Sequence, residues 1–256
     1  MGCAQKMTPH VSIDLSGTYL KILTYNIHHA NPPSKPNVID IAAIANVIIK
    51  QQPDIVALQE IDVHTNRSGK TINEAEEIAR LTGMQAYFAK AIDYDGGEYG
   101  VAILSKFPME KTSKNHLPTA EATGGEHRTL ATAIINLPGN KKIVFACTHL
   151  DAQKNDTNRL LQIQKIADIL EGEKLSVIIA GDFNSTPSKS VINILDNYFT
   201  RTCTDCAFTI PVINPTKTID FIAYKPSDKF TVTEHKVIDE KYASDHLPVL
   251  AVLKLK

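Results

Sequence analysis

The sequence of 256 residues contains no Trp, and Phe and Tyr bring its aromatic share to only 6%. Stacking platforms for unpaired bases rest on aromatic rings, so they have little material here. An excess of one charge is missing too, with 27 Lys and Arg against 28 Asp and Glu. No global field draws such a chain to nucleic acid or to an anionic membrane; only a local basic groove could do so. No apolar run approaches the roughly 20 residues of a spanning helix, and the N-terminus lacks the regions of a signal peptide. Cysteine is scarce at four residues, of which only Cys203 and Cys206 form a CxxC pair. One such pair cannot build a four-cysteine zinc site, and Cys147, in the apolar run beginning at Ile143, reads as core. The pair is a disulfide in an exported protein, or a redox or metal half-site in a cytosolic one.

The first residues admit two readings. Met1-Gly2-Cys3-Ala4 before the polar segment Gln5 to His10 is either the remnant of a bacterial lipoprotein with a lipid anchor at Cys3, or a plain flexible start. The first places the chain in the cell envelope, the second in the cytoplasm. Residues 1–17 are expected to be a flexible segment and 18–256 one domain, with no fixed-period repeat and no composition shift. Nothing calls for a second copy, so a monomer is expected.

What the chain has is apolar material, 43% of its residues, enough to fill a substantial core. Ile41, Ile44, Ala45 and Ile48 recur at helical spacing, and Pro53 ends that helix. A second helix from about Asn73 to Leu81 closes on Gly83, and a third, capped by Asp156, runs through Leu160, Ile163, Ile166 and Leu170 to Gly172. Pro187 to Leu195 can begin a fourth. Short apolar strands lie between them: Leu20 to Tyr25, Ile55 to Leu58, Val101 to Leu104, Thr129 to Leu137, Ile143 to Cys147, Val177 to Ala180, Thr218 to Ala223, Phe230 to Val237 and Val249 to Leu253. A loop is expected from Leu104 through Pro118 to Gly124-Gly125, and Pro138-Gly139-Asn140 suits an antiparallel hairpin. So many apolar strands must be covered on both faces, which predicts an α/β fold of two mixed β-sheets packed face to face with helices outside.

Polar residues punctuate the strand ends. Glu60 follows a buried strand and offers a hard oxygen ligand or a solvated edge carboxylate. Asn26 suits a turn equally well. His149 could be structural, a metal ligand or a general acid. Asp182 and Asn184 can share a cavity if Phe183 turns into the core. Asp220, set among apolar neighbours, needs a partner, and His246 is the obvious one, with Asp245 beside it. Arg128, and after it Arg67, are candidates for anion recognition, because a guanidinium offers phosphate two parallel donors.

Taken in order, Tyr25-Asn26-Ile27-His28-His29, Leu58-Gln59-Glu60-Ile61-Asp62, Tyr99-Gly100-Val101-Ala102-Ile103-Leu104-Ser105, Thr148-His149-Leu150-Asp151, Gly181-Asp182-Phe183-Asn184, Ile219-Asp220-Phe221 and Ser244-Asp245-His246-Leu247-Pro248-Val249 closely resemble the endonuclease/exonuclease/phosphatase superfamily. The resemblance implies a four-layered α/β sandwich with its site on loops at one end of the paired sheets. It implies a Mg2+ or Mn2+ ion on Glu60, helped by Asn26 and Asp245. By the same carry-over Asp182 and Asn184 align the nucleophile and the phosphate, His149 contacts phosphate or leaving group, and Asp220 with His246 supplies a base or electrostatic clamp. The DNA-repair branch carries an acid where His28 stands and a Tyr where His149 stands; His149 is more similar to the deoxyribonuclease, sphingomyelinase and phosphatase branches. The expectation is a metal-dependent phosphodiesterase acting on a small or lipid-linked phosphoester. A nuclease of the same fold and a catalytically silent adaptor are the alternatives.

Overall fold

Runs of aliphatic and β-branched residues, broken by Gly, Pro and Asn, order the computed structural model, which describes residues 17–256. Cys3 and the lipid-anchor expectation lie outside the described residues. Strands β1 (Thr18–Asn26), β2 (Ile55–Val63), β3 (Gln85–Tyr94) and β4 (Gly97–Ser105) come first, followed by β5 (Met109–Leu117), β6 (Arg128–Leu137), β7 (Lys141–His149) and β8 (Ser176–Asp182). The short β9 (Thr200–Arg201), β10 (Asp220–Lys225), β11 (Phe230–Val237) and β12 (Val249–Leu255) complete them. One sheet is ordered β11-β12-β1-β2-β4-β3 and the other β5-β6-β7-β8-β10-β9. Both are mixed, because β1 and β2 pair in parallel, as do β7 and β8, among otherwise antiparallel neighbours.

Between the sheets, inward side chains such as Ile22, Ala57, Ile103, Phe145, Ile178 and Ala251 form one core. Outside the first sheet lie α1 (Ile41–Gln51) and α2 (Glu74–Thr82), and outside the second α3 (Thr157–Glu171) and α4 (Ser190–Tyr198), each sealing its own apolar layer. The four layers are those expected. Helix starts follow local chemistry: Asp40 and Asn73 accept from the amides of Ala43 and Glu76, and Gly83 takes the left-handed cap at φ 69°.

Three expectations need correction. Asp156 does not cap α3 with its side chain; its Oδ1 accepts from Arg159 Nε and Nη2 instead. The expected loop before Pro118 holds strand β5, and β3 was not anticipated at all. Both are sheet edges of mostly exposed or half-exposed residues; β5 is polar and shows no apolar run, whereas β3 carries the short run Ala86-Tyr87-Phe88-Ala89 between polar residues. The acidic stretch Asp93 to Tyr99 is the turn and flanks of the β3–β4 hairpin.

Cys203 and Cys206 are bonded as a disulfide, and Cys147 is buried between the sheets, where burial pushes its thiol up to about 12. Among the described residues no helix is long and apolar enough to cross a membrane.

Candidate active site

Strand register assembles the site. In the second sheet His149 lies beside Asp182 across the parallel β7–β8 pair, and Asp220 lies beside Asp182 across the antiparallel β8–β10 pair. One cross-section therefore holds all three. The glycine of the Gly181-Asp182 step is required there: a Cβ would sit 2.0 Å from the Thr148 carbonyl oxygen. Phe183 then turns fully into the core against Phe221, as expected, and Asn184 adopts φ 48° with its amide nitrogen donating to Leu150 O at 2.9 Å.

In the first sheet Asn26 pairs with Gln59, and the ladder from β2 to β4 skips Glu60, whose φ is 61°. This bulge turns Glu60 out of the strand alternation while Gln59 stays buried against Thr24 and Cys147. The two sheets meet at Asn26. Its Nδ2 donates to Glu60 Oε1 at 3.0 Å and to Asp182 Oδ2 at 3.1 Å, while its Oδ1 accepts the His28 amide at 3.1 Å.

Asp182 Oδ2 is the hub. Besides Asn26, it faces His149 Nε2 at 3.5 Å and His246 Nε2 at 3.7 Å. His246 Nδ1 donates to Asp220 Oδ2 at 3.0 Å, and Thr209 Oγ1 donates to the same oxygen at 2.5 Å. The expected Asp220–His246 partnership is present. Ser244 Oγ donates to Asn26 O at 2.7 Å and so holds the loop carrying Asp245 and His246 against β1. Asp245 is half-buried, and its own main-chain oxygen accepts from Val212 N.

The histidines differ in charge. Arg128 Nη1 lies 3.4 Å from His149 Nδ1, and a guanidinium only donates, so Nδ1 accepts and the ring proton sits on Nε2. Burial, then the Arg128 charge, holds His149 well below the usual imidazole range, so the ring is neutral. Burial opposes charge on His246 as well, but Asp220 and then Asp182 outweigh it and raise the ring to about 10. His246 is therefore an imidazolium at neutral pH. Burial, then the Asp220 charge, lifts Asp182 to about 7. Burial also works against Glu60, yet the neighbouring His29 imidazole and the Asn26 donor hold it well below the ordinary carboxylate range.

Two arginines flank the site in different states. Arg128 is buried, pairs with Glu126 at 3.0 Å, and has an Nε with no protein partner. Arg67 has its fork committed: Nε and Nη2 donate to Asp62 at 2.7 and 2.9 Å. The bidentate phosphate contact expected of Arg67 is thereby already spent on a carboxylate.

Sequence reasoning left His29 without a role. It follows His28 in a segment where His28, His29 and Ala30 all adopt positive φ, a costly conformation for non-glycine residues. This puts His29 Nδ1, buried and without a hydrogen-bond partner, 4.0 Å from Glu60 Oε2. Only the His-His doublet beside Asn26 signalled it. An orphaned imidazole nitrogen beside an ionised carboxylate and an amide suits a divalent cation, so the residues fit a metal at Glu60. A second grouping, Asp182, Asp220 and His246, places three ligand atoms within 4.8 Å of one another.

Comparison with known proteins bears on this arrangement. The model of the Endonuclease/Exonuclease/phosphatase family matches residues 23–246. Inositol phosphosphingolipids phospholipase C of Schizosaccharomyces pombe is 27% identical over 195 residues, 70% of this chain and 44% of that protein. Nocturnin of Rattus norvegicus is 26% identical over 162 residues, 58% of this chain and 36% of that protein. The chain thus spans less than half the length of these curated relatives. Among solved structures, an endonuclease/exonuclease/phosphatase from Beutenbergia cavernae superposes with TM-score 0.76 at 22% identity, covering 93% of this chain and 72% of that one. A mannosyl-6-phosphatase from Bacteroides thetaiotaomicron superposes with TM-score 0.75 at 18% identity, covering 91% and 99%. With its sheets, its motifs and the family match agreeing over most of its length, the chain belongs to the endonuclease/exonuclease/phosphatase family.

Proposed function

We propose that the chain is a divalent-metal-dependent phosphoesterase that hydrolyses a small or lipid-linked phosphoester, a diester foremost, by in-line attack of water. One observation carries this: three N–H donors from Asn26, His149 and His246 converge on Asp182 Oδ2, with the Glu60 carboxylate joined to them through Asn26. The 3.5 and 3.7 Å separations leave the imidazole N–H groups free to turn to an incoming oxygen.

In this reading Asp182, lifted to about 7, is a base matched to neutral pH and takes the proton of the attacking water. His246, charged and steadied by Asp220 and Thr209, offsets the negative charge that gathers on the phosphoryl oxygens. His149, a neutral donor at Nε2, holds a phosphoryl or leaving-group oxygen. Arg128 fixes its tautomer and brings a buried positive charge to the same wall. Asn184 shapes the turn that aims Asp182.

Glu60, Asn26 and Asp245 would hold the cation, which when bound neutralises charge on the nonbridging oxygens. This assignment is preferred to the Asp182–Asp220–His246 grouping, because Asp220 and His246 already satisfy each other. A ligand role for Asn26 would need its amide turned so that oxygen faces Glu60, exchanging the donations it makes to Glu60 and Asp182. The similarity to a phospholipase C and a mannosyl-6-phosphatase supports phosphoester substrates. A net charge of −1 gives duplex DNA no global electrostatic pull.

The test is a panel of phosphomonoesters, phosphodiesters, phospholipids and plasmid DNA, with magnesium or manganese and with chelator. Turnover of a small or lipid phosphoester that chelation abolishes is expected. Activity confined to plasmid DNA would point to a nuclease, and activity on nothing to a silent binding protein.

A further inference from the structure

The phosphoester chemistry leaves one built feature without a task. Beside Glu60, the loop after β2 and the β3–β4 turn enclose a cavity of about 90 Å³ lined by Glu60, Arg67, Tyr94, Tyr99 and Glu126. Its wall is unusually well fixed. Asp62, fully buried, accepts from Thr65 Oγ1 at 2.8 Å and Ser68 Oγ at 2.7 Å in addition to the two Arg67 nitrogens. Four donors saturate this carboxylate, and the guanidinium they hold lies over the Tyr94 ring at 4.5 Å and toward Tyr99 at 5.8 Å. From the hairpin turn, Asp95 accepts from Arg67 N at 2.7 Å and Asn66 Nδ2 at 3.1 Å, which ties turn to loop. No step of the hydrolysis uses Asp62, Arg67 or Tyr94.

The lining tells what such a wall receives. Glu126 presents acceptor oxygen, with Glu60 at the cation end, Arg67 Nη1 keeps donors with only a 3.5 Å contact to Tyr94 Oη, and the two tyrosines add phenol groups and ring carbon. An anionic leaving group would find no unpaired guanidinium to receive it, because Arg67 is paired with Asp62 and Arg128 with Glu126. An acyl chain would strip water from the carboxylates and return no hydrogen bond. Hydroxyl groups set on a carbon frame satisfy both halves of the lining at once. The volume, about three waters at roughly 30 Å³ each, suits one edge of a ring.

We propose that this cavity is the leaving-group subsite and that it selects an uncharged, hydroxyl-rich group, a sugar or a cyclic polyol. The proposal rests on the phosphoesterase function above and narrows its substrate. The polyol reaches the cavity either as a free phosphoester or as a lipid headgroup.

The experiment compares kcat/KM of the magnesium-loaded chain on a hexose 6-phosphate, glycerophosphoinositol, phosphatidylinositol in vesicles, n-hexyl phosphate and a dinucleotide. At least one hydroxyl-rich substrate is expected to exceed hexyl phosphate and the dinucleotide tenfold or more. The free and vesicle-bound arms distinguish the two sources. Tyr94→Ala, at a partly exposed ring, and Arg67→Lys should each shrink that preference at least fivefold, chiefly through KM. Equal kcat/KM across the panel, a preference for the dinucleotide, or a preference that survives both variants overturns the subsite. Saturation-transfer NMR of a hexose 6-phosphate with metal-free protein reads occupancy without turnover: transfer to ring protons is expected in the wild type and lost in Tyr94→Ala. No transfer in the wild type overturns the subsite, whatever the hydrolysis. Transfer without hydrolysis of any substrate overturns the phosphoesterase function and leaves the cavity as a polyol-binding site.

Discussion

His149 and His246 address the same oxygen of Asp182 in opposite charge states, so their removal should have different consequences. His246→Ala leaves Asp182 and Asp220 facing each other in the interior without the imidazolium between them. We predict that it lowers turnover of a generic phosphodiester on the order of 10²-fold or more and also costs about 3–5 kcal/mol of stability. His149→Ala removes a neutral donor and should cost activity with a smaller loss of stability. Steady-state rates with magnesium, set beside denaturant melts, separate the two; unchanged hydrolysis in His246→Ala would sink the proposed mechanism. His29 gives a second test. An imidazole nitrogen favours manganese over magnesium. His29→Ala should therefore weaken manganese binding about tenfold or more while magnesium binding changes far less, as read by titration calorimetry on resting protein. Equal losses for both ions would show that His29 only props Glu60. The positions of Glu60, His149, Asp182, Asp220 and His246 are legible in the sequence because each lies at the end or just ahead of an apolar run. Thr209 is not, because it reaches Asp220 from a loop without periodicity; Asp62 closes the Leu58 to Asp62 motif, but its grip on Arg67 depends on a loop whose fold the sequence does not show.

At the scale of elements, the first turn of α2 hides an acid. Glu74 is fully buried, its Oε2 accepts the Asp62 amide at 2.8 Å, and its Oε1 has no partner. Burial pushes this carboxyl from its ordinary 4.5 up to about 8. The folded chain thus keeps a proton that the unfolded chain releases at lower pH, and stability must fall as pH rises between those two values. The loss is on the order of a few kcal/mol at the upper end. Glu74→Gln should flatten that slope, so thermal melts of wild type and variant at pH 5 and pH 8 give the answer. A wild-type melting temperature that rises across this interval would contradict the assignment. The elements themselves divide by burial. Central strands such as β1, β7 and β8 announce themselves as unbroken aliphatic runs because both of their faces are covered. Edge strand β5 buries little, so its polar sequence resembles a loop; β3 has one short apolar run, Ala86 to Ala89, and its pairing with β4 makes the strand plain. Asp156 leaves α3 without a side-chain cap for a local reason: an Asp before a helix can cap it, but an Arg three residues on competes for the carboxylate.

For the whole molecule, stability rests on the layer between the sheets, where Phe145 is among the largest fully buried side chains. Phe145→Ala should cost about 3–5 kcal/mol through lost transfer energy and the cavity left behind. With about 2–4 °C per kcal/mol for a chain near this size, the melting temperature should drop by roughly 6–20 °C. A smaller drop would mean that the two sheets close over the gap. The four-layered architecture is legible from strand count and coverage, while the order of strands within each sheet is not, since it depends on pairings between segments far apart in sequence.

The register that sets His149, Asp182 and Asp220 side by side ends where the strands end, whereas the proposed polyol cavity is made by the loop after β2, the β3–β4 turn and the segment before β6. Reaction and selection are therefore carried by separable parts. Exchanging the loops at 64–73 and 119–127 should let a new clientele be recruited to an unchanged chemical centre. A single residue inserted into β8 would instead turn Asp182 to the opposite face, and no compensating loop could restore it.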